Sequence, residues 1–175
     1  MIPTSSHPVS PAERKRFRRI RLCMLLSGLS VFAQLYLFQP LLSDLCSFYG
    51  ISAVTGSLSV SASTIGMAFG LFVLAFKADA VSRGRLMGGS LIASSLLTLL
   101  SVLAFNYPLL LLANFLKGAV LAGVSAVALA YLTEEVDAAV IGLTISLYLS
   151  GNTLGGMAGR VSGTLLAGWA DWHVA

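Results

Sequence analysis

The chain has 175 residues, of which 57% are hydrophobic and 10% are charged, and its mean hydropathy is +0.88. Soluble domains carry about 25% charged residues, so this chain has too little charge to cover a surface in water. The composition therefore excludes an ordinary water-soluble domain and predicts a protein whose solvent is lipid.

The positive charge is concentrated at one place. The net charge of +4 reflects 11 Lys and Arg against 7 Asp and Glu, and six of the cations fall between residues 14 and 21, directly before the first apolar run. Such a cluster is typical of a membrane topology signal, and no basic face recurs later as it would in a nucleic-acid-binding protein. We therefore expect the lipid bilayer as a partner and no nucleic acid.

Five charge-poor segments follow a short polar start. Residues 1–21 are predicted to form a disordered tail and a basic cytoplasmic segment. The first apolar run, Leu22–Leu42, is too long for a signal peptide core of about 7–15 residues and is predicted to be a retained span. Each segment approaches the roughly 20 residues that cross a bilayer. The predicted spans lie near residues 22–42, 55–76, 86–105, 109–132 and 138–168.

These spans predict an all-α, polytopic membrane helix bundle over residues 22–175, with short connections such as Ser43–Val54. With the N-terminus inside, the inner segments contain the six early cations plus Lys77, Arg83 and Arg85, whereas the outer connections contain none. Because Lys and Arg accumulate in cytoplasmic segments, the N-terminus is predicted to be cytoplasmic.

Glycines recur every fourth residue on the fifth span and again on the second. Such ridges let a second helix backbone approach closely. They indicate either ordinary helix packing or a surface on which helices slide or hinge. The glycines are Gly66, Gly70, Gly151, Gly155, Gly159 and Gly163.

Lys117 is the cation that lies deepest in a predicted span. It comes nine residues after Pro108, at about 14 Å in a hydrocarbon core about 30 Å thick. An ammonium facing lipid at that depth would cost at least about 2.5 kcal/mol, so it is expected to face protein or a water-filled cavity. A transport or gating role and a structural buried cation are both consistent with this position.

Other polar residues are predicted to share a cavity with Lys117. Asn114 lies three residues before it and shares its helix face. Arg160 is predicted near the outer interface, where snorkelling explains it as well as function does. The neutral residues could instead form interhelical hydrogen bonds. The candidate substrate cavity comprises Gln34, Tyr36, Asn114, Lys117, Asn152 and Arg160.

A candidate latch lies at the cytoplasmic ends of the spans. Asp79 follows the second span, where a carboxylate opposes the helix dipole and needs stabilisation from Arg83, Arg85 or the N-terminus of a neighbouring helix. Exposed ion pairs contribute about 0–1 kcal/mol, which suits contacts that open and close. The candidate latch residues are Asp79, Arg83, Arg85, Glu134 and Glu135.

No arrangement of residues predicts an enzyme. The two histidines, His7 and His173, lie near the chain ends, so neither a catalytic triad nor an embedded metal site can be assembled. We therefore expect no enzymatic activity, no metal and no cofactor.

Several strings resemble the N-terminal part of a major facilitator superfamily transporter, of the bacterial inner-membrane efflux-permease branch. The superfamily's loop signature, Gly-x-Leu-Ala-Asp-Arg-x-Gly-Arg-Arg, has its Asp and a distal Arg at Asp79 and Arg83. Its fourth-helix signature has an arginine where Asn114 stands, and Lys117 restores a cation one turn later. The other matching strings are Gln39-Pro40-Leu41-Leu42, Tyr131-Leu132-Thr133-Glu134-Glu135 and the run from Ser150 to Arg160.

The resemblance implies a twelve-helix transporter of two six-helix halves, which moves a small solute between them by alternating access. This chain would supply helices one to five, with the second half as a missing partner and protons as the coupling ion expected from the family. A different hypothesis is a non-transporting membrane fragment, either a gene remnant or a helix-packing partner.

Overall fold

The computed structural model describes residues 11–76, 82–101, 103–135 and 138–169. These residues form helices joined by short turns, with no strand among them. The helices are α1 (Pro11–Tyr36), α2 (Leu42–Tyr49), α3 (Ala53–Ala75), α4 (Arg83–Ser101), α5 (Tyr107–Glu135) and α6 (Ala138–Trp169). The five long helices correspond in order to the five predicted spans, and the expected all-α bundle is confirmed.

The first long helix differs from its predicted bounds at both ends. It begins at Pro11 rather than Leu22, because proline suits the first helical position and Arg, Lys and Glu are good helix formers. The basic segment is thus helical in the structure. It ends at Tyr36 because Pro40 disfavours helical geometry in the residue before it.

Within the described residues, two helical stretches meet a strict length and composition test for crossing a membrane: Ala53–Ala75 and Tyr107–Ala128. The remaining long helices do not meet the test, because charged, polar and small residues lower their apolar content. Arginines begin α1, and serines and glycines are spread through α4 and α6. Such small residues serve helix contact in membrane proteins, where apolar content alone does not join helices.

The connection predicted at Ser43–Val54 contains a short helix, α2. Its last turn closes on Gly50, which adopts a left-handed conformation with φ of 63°. Leu45 of α2 is fully buried. The Tyr49 hydroxyl donates a hydrogen bond to the carbonyl of Ala104 at 2.7 Å. This helix therefore closes the end of the bundle at which α1 ends.

Glycines set the two closest helix contacts. Four glycines of α6 lie so near α1 and the residue that follows it that a Cβ atom at any of them would collide with a backbone carbonyl. The contacts pair Gly151 with Leu25, Gly155 with Leu29, Gly159 with Ala33 and Gly163 with Leu37. The residue numbers increase in the same direction along both partners, so α1 and α6 run parallel in a fixed register.

A second parallel pair joins α3 and α5. Gly66 and Gly70 of α3 meet the backbones of Phe115 and Ala119, and Gly118 of α5 meets the carbonyl of Ser63. The helix α4 packs on the other side of α5. As a result α5 lies between two neighbours and is the central helix of the bundle.

The distribution of side chains suits lipid rather than water. Phe72 and Ile92 point outward with 65% and 67% of their surface exposed. Small polar residues lie inside instead: Ser59 and Ser94 are buried and donate to carbonyls of their own helices. In a bilayer polar groups must be satisfied internally, and apolar side chains face the acyl chains. The bundle has this arrangement.

The contact between α1 and α6 gives a first prediction. Gly155→Ala should destabilise the protein by about 1–3 kcal/mol and lower its melting temperature in detergent, because the added methyl group overpacks against Leu29. Gly142→Ala on the same helix, where a Cβ has open space, is the control. It should be neutral or raise the melting temperature, because Ala favours helix by about 1 kcal/mol over Gly. Equal effects of the two substitutions would contradict the register.

Candidate functional site

The side chain of Lys117 is fully enclosed in the bundle. Its neighbour Gly118 holds α5 against the α3 backbone at Ser63. Because successive residues of a helix are about 100° apart, Lys117 is turned away from this contact. It faces the end of α1 instead, where its ammonium lies 4.5 Å from the centroid of the Phe38 ring.

Asn114 is the hydrogen-bond partner of Lys117. The lysine Nζ donates to Asn114 Oδ1 at 2.7 Å, and both side chains are fully buried. The two residues are three apart on α5 and therefore share a helix face. The amide nitrogen of Asn114 is buried with no hydrogen-bond partner.

No carboxylate neutralises this ammonium among the side chains that the structure describes. The only acid whose side chain is described is Asp44, and it is exposed in the first turn of α2. The hydrogen bond to a charged donor contributes about 1.5–3 kcal/mol. The contact with the Phe38 ring contributes about 2 kcal/mol in a desolvated setting. These terms are comparable with the cost of at least about 2.5 kcal/mol for a cation in a membrane, so the site holds a charge with no net gain in stability.

A second cation lies on the other side of the end of α1. Arg160 of α6 donates from Nε to Gln39 Oε1 at 2.6 Å, and its guanidinium carbon lies 4.4 Å from the centroid of the Tyr36 ring. The glycine contacts fix the register of α6 on α1 and thereby bring Arg160 level with Tyr36 and Gln39. The side chain is exposed, in contrast to that of Lys117.

One short segment therefore contacts both cations. We call residues 36–39 the aromatic segment. Tyr36 and Gln39 contact Arg160 from α6, whereas Phe38 contacts Lys117 from α5. The segment begins where α1 ends and continues as a turn, so its side chains are free of helical spacing and reach two neighbouring helices.

The remaining candidate cavity residues have separate partners. The Gln34 side chain is half-buried and accepts a hydrogen bond from Thr98 Oγ1 of α4 at 3.3 Å. Asn152 is half-buried beside Gly28 of α1, and its Oδ1 has no hydrogen-bond partner. The structure thus joins Lys117 with Asn114 and Tyr36 with Arg160, but its described contacts do not link all six candidate residues.

The candidate latch falls largely outside the described part of the chain. Asp79 lies outside the described residues, as do the side chains of Glu134 and Glu135 at the end of α5. Arg83 and Arg85 begin α4, the first half-buried and the second exposed. The latch remains a prediction.

Sequence analysis missed three contact residues: Phe38, Gln39 and Thr98. No periodic signal marks Phe38, because its contact with Lys117 depends on where α1 ends. Gln39 lies in the Gln-Pro-Leu-Leu string, which carries the family resemblance but does not indicate a contact with Arg160. Among the described residues, no group of three or more His, Cys, Asp or Glu could hold a metal ion.

Long helices in close glycine contact, an apolar outer surface and an enclosed cation define a polytopic membrane helix bundle with an internal polar site. The family model of the Major Facilitator Superfamily matches residues 22–175. The chain therefore belongs to this superfamily, whose members are membrane transporters and not enzymes.

Curated relatives include three bacterial transporters. The inner membrane transport protein YnfM of Escherichia coli is 35% identical over 160 residues, which are 91% of this chain and 38% of YnfM. The MFS-type transporter YybF of Bacillus subtilis is 33% identical over 91% of this chain and 39% of its own length. A transporter of Buchnera aphidicola is 35% identical over 92% of this chain and 39% of its own length. The chain thus spans about two fifths of these relatives, and no solved structure matches it.

The Lys117–Asn114 pair gives a second prediction. Replacing both residues, as Lys117→Met with Asn114→Leu, should leave the melting temperature in detergent unchanged or raise it. Apolar groups of similar shape then replace a buried charge and its partner. Lys117→Met alone should be less stable than the double variant by about 1–3 kcal/mol, because it leaves the Asn114 amide without any partner.

The control is Lys15→Met, since Lys15 is exposed. It should not change the melting temperature. A double variant that is more than about 3 kcal/mol less stable than the unchanged protein would show that the pair holds the fold together, contrary to this account.

Proposed function

We propose that the chain forms the first five spans of a transporter for a small solute, which works by alternating access, and that Lys117 and Asn114 lie on the solute path. The observation that carries this proposal is the enclosed ammonium of Lys117, which has no carboxylate partner among the described side chains. Ionisable residues at membrane depth almost always face the bundle interior or a water-filled cavity, where they mark solute and ion pathways.

Energetics favours a functional role over a structural one. A structural cation in a membrane would be expected to add a strong ion pair, but the described contacts of Lys117 are one amide and one aromatic ring. Selection for stability alone would replace such a residue by a leucine or methionine. The charge is therefore retained for something that binds or moves.

The position of the pair also supports a solute path. Lys117 lies ten residues into α5, about 15 Å along the helix. Substrate sites of secondary transporters lie near the bilayer midplane, between repeats. The proposed cavity also includes Gln34, Tyr36, Asn152 and Arg160.

The proposed latch closes the opposite end of the bundle from the aromatic segment. The helix α5 ends at Glu135 and α4 begins at Arg83, so both elements reach that end. Weak pairs among Asp79, Arg83, Arg85, Glu134 and Glu135 would break and reform as the bundle opens.

The proposal also covers the membrane, the orientation of the chain, the direction of transport and the coupling ion. The protein lies in the bacterial inner membrane with its N-terminus in the cytoplasm and exports its solute, coupled to an ion such as the proton. The name of the Escherichia coli relative, an inner membrane transport protein, supports the compartment. The basic start of α1 supports the orientation.

Transport predicts a loss of solute flux on removal of Lys117. Everted membrane vesicles containing a transporter whose first five spans are this chain would be energised, and the solutes they accumulate identified by mass spectrometry. At least one solute should accumulate above the level of vesicles without the protein. Lys117→Met should abolish that accumulation, whereas Lys15→Met should preserve it. Equal accumulation in both variants would remove Lys117 from the path, and no accumulation of any solute would contradict transport.

The orientation can be tested with a matched pair of cysteines. Asn106 and Ser82 are exposed and lie at opposite ends of α4. In a background lacking Cys23 and Cys46, Asn106→Cys should react with a membrane-impermeant maleimide in intact cells. Ser82→Cys should react only after permeabilisation. The reverse pattern would place the N-terminus outside.

A further inference from the structure

The hydrogen-bonding capacity of the Lys117–Asn114 pair is only partly used. An ammonium has three donor hydrogens and no acceptor, and among the described residues Lys117 donates one side-chain hydrogen bond, to Asn114 Oδ1. This bond fixes the orientation of the amide, because its nitrogen could not accept from lysine. Asn114 Nδ2 is left buried without a partner. The unused hydrogen-bonding groups of the Lys117–Asn114 pair are therefore all donors.

Unused donors beside a positive charge favour an acceptor that carries negative charge, because it satisfies the donors and balances the charge in a medium where excess charge is costly. We propose that the Lys117–Asn114 pair binds the carboxylate of a small, diffusible organic anion, a statement that rests on the transport role proposed above. One carboxylate oxygen accepts from Lys117 Nζ and the other from Asn114 Nδ2. The pair then reaches the full hydrogen bonding that buried polar groups normally have.

The charge at the site selects a monoanion. One ammonium and one neutral amide balance a single negative charge, whereas a phosphate dianion would keep an excess charge in a medium where that is costly. A cationic solute would face only donors and a like charge. The second cation, Arg160, is held by Tyr36 and Gln39 on another side of the aromatic segment and is exposed.

The surroundings of the pair select an apolar body for this anion. The Phe38 ring covers the ammonium and belongs to a buried apolar cluster with Leu41 and Leu110. Leu121, one turn beyond Lys117 on α5, is also fully buried. A carboxylate with a hydrocarbon or aromatic body matches this lining. The enclosed pair is reached when the bundle opens, as alternating access requires.

A carboxylate could also come from an acid of this chain whose side chain lies outside the described ones. Between Asp79 and Glu134 the sequence itself has no acid, so α5 supplies none before its last two residues, Glu134 and Glu135. A diffusible solute must bind reversibly and compete for the pair, whereas a resident side chain would occupy it in advance. Binding measurements on the chain distinguish the two sources.

The test is binding of benzoate to the full chain in lipid nanodiscs, measured by titration calorimetry. Benzamide, which has the same shape without the charge, is the matched ligand control. Benzoate should bind and raise the melting temperature, and benzamide should do neither. Lys117→Met should weaken benzoate binding at least about tenfold, a loss of about 1.4 kcal/mol, while Lys15→Met should leave it unchanged.

A second variant keeps the test independent of folding defects. Asn114→Asp places a carboxylate where the amide now accepts from Lys117, so the site is filled from within. This variant should abolish benzoate binding and raise the melting temperature. The control is Asn106→Asp, an exposed position where the side chain accepts from the Leu109 amide, and it should retain binding.

Three results would overturn the inference: no heat of benzoate binding to the folded chain, equal binding of benzoate and benzamide, or undiminished binding to Asn114→Asp. The first is the result expected of a resident acidic side chain. Lys117-dependent flux without benzoate binding would reject the anion and leave transport standing. Lys117-dependent benzoate binding without any flux would support the anion site and count against transport.

Discussion

A positive charge enclosed within a membrane bundle, with no described carboxylate to balance it, constrains the rest of this structure. The ammonium of Lys117 has one amide oxygen and one aromatic face for compensation. It cannot escape to an interface, because Gly118 fixes α5 on the α3 backbone and the lysine lies about 15 Å along the helix. Every helix that approaches this face must therefore present a group that tolerates a cation.

Glycine contacts make that arrangement possible by fixing helix register. On α6 they recur every four residues and meet α1 residues at the same spacing, so the α1–α6 pair is held in one register. The α3–α5 pair is held in the same way. Consequently Arg160 and Lys117, which are far apart in sequence, reach the aromatic segment at the end of α1. Small residues thus determine where charged ones lie.

The sequence predicted helix number, order and approximate position, because apolar length and the near absence of charge are local properties. It also singled out Lys117 and Asn114, since their spacing puts them on one face. It did not predict α2, which is short and depends on Gly50 and on the burial of Leu45. The roles of Phe38 and Gln39 were also missed. Both follow the end of α1, and their partners are set by tertiary packing that periodicity does not encode.

The central claim concerns what lies next to the Lys117 ammonium, and solid-state NMR in bilayers tests it most directly. The chain has three lysines and three asparagines, so labelling lysine Nζ with 15N and the side-chain carbons of Asn, Asp and Glu with 13C gives few candidate signals. The account predicts a short-range correlation from one lysine Nζ to the Asn114 side-chain carbonyl carbon, lost in Lys117→Met. A correlation from Lys117 to an Asp or Glu carboxyl carbon would contradict it.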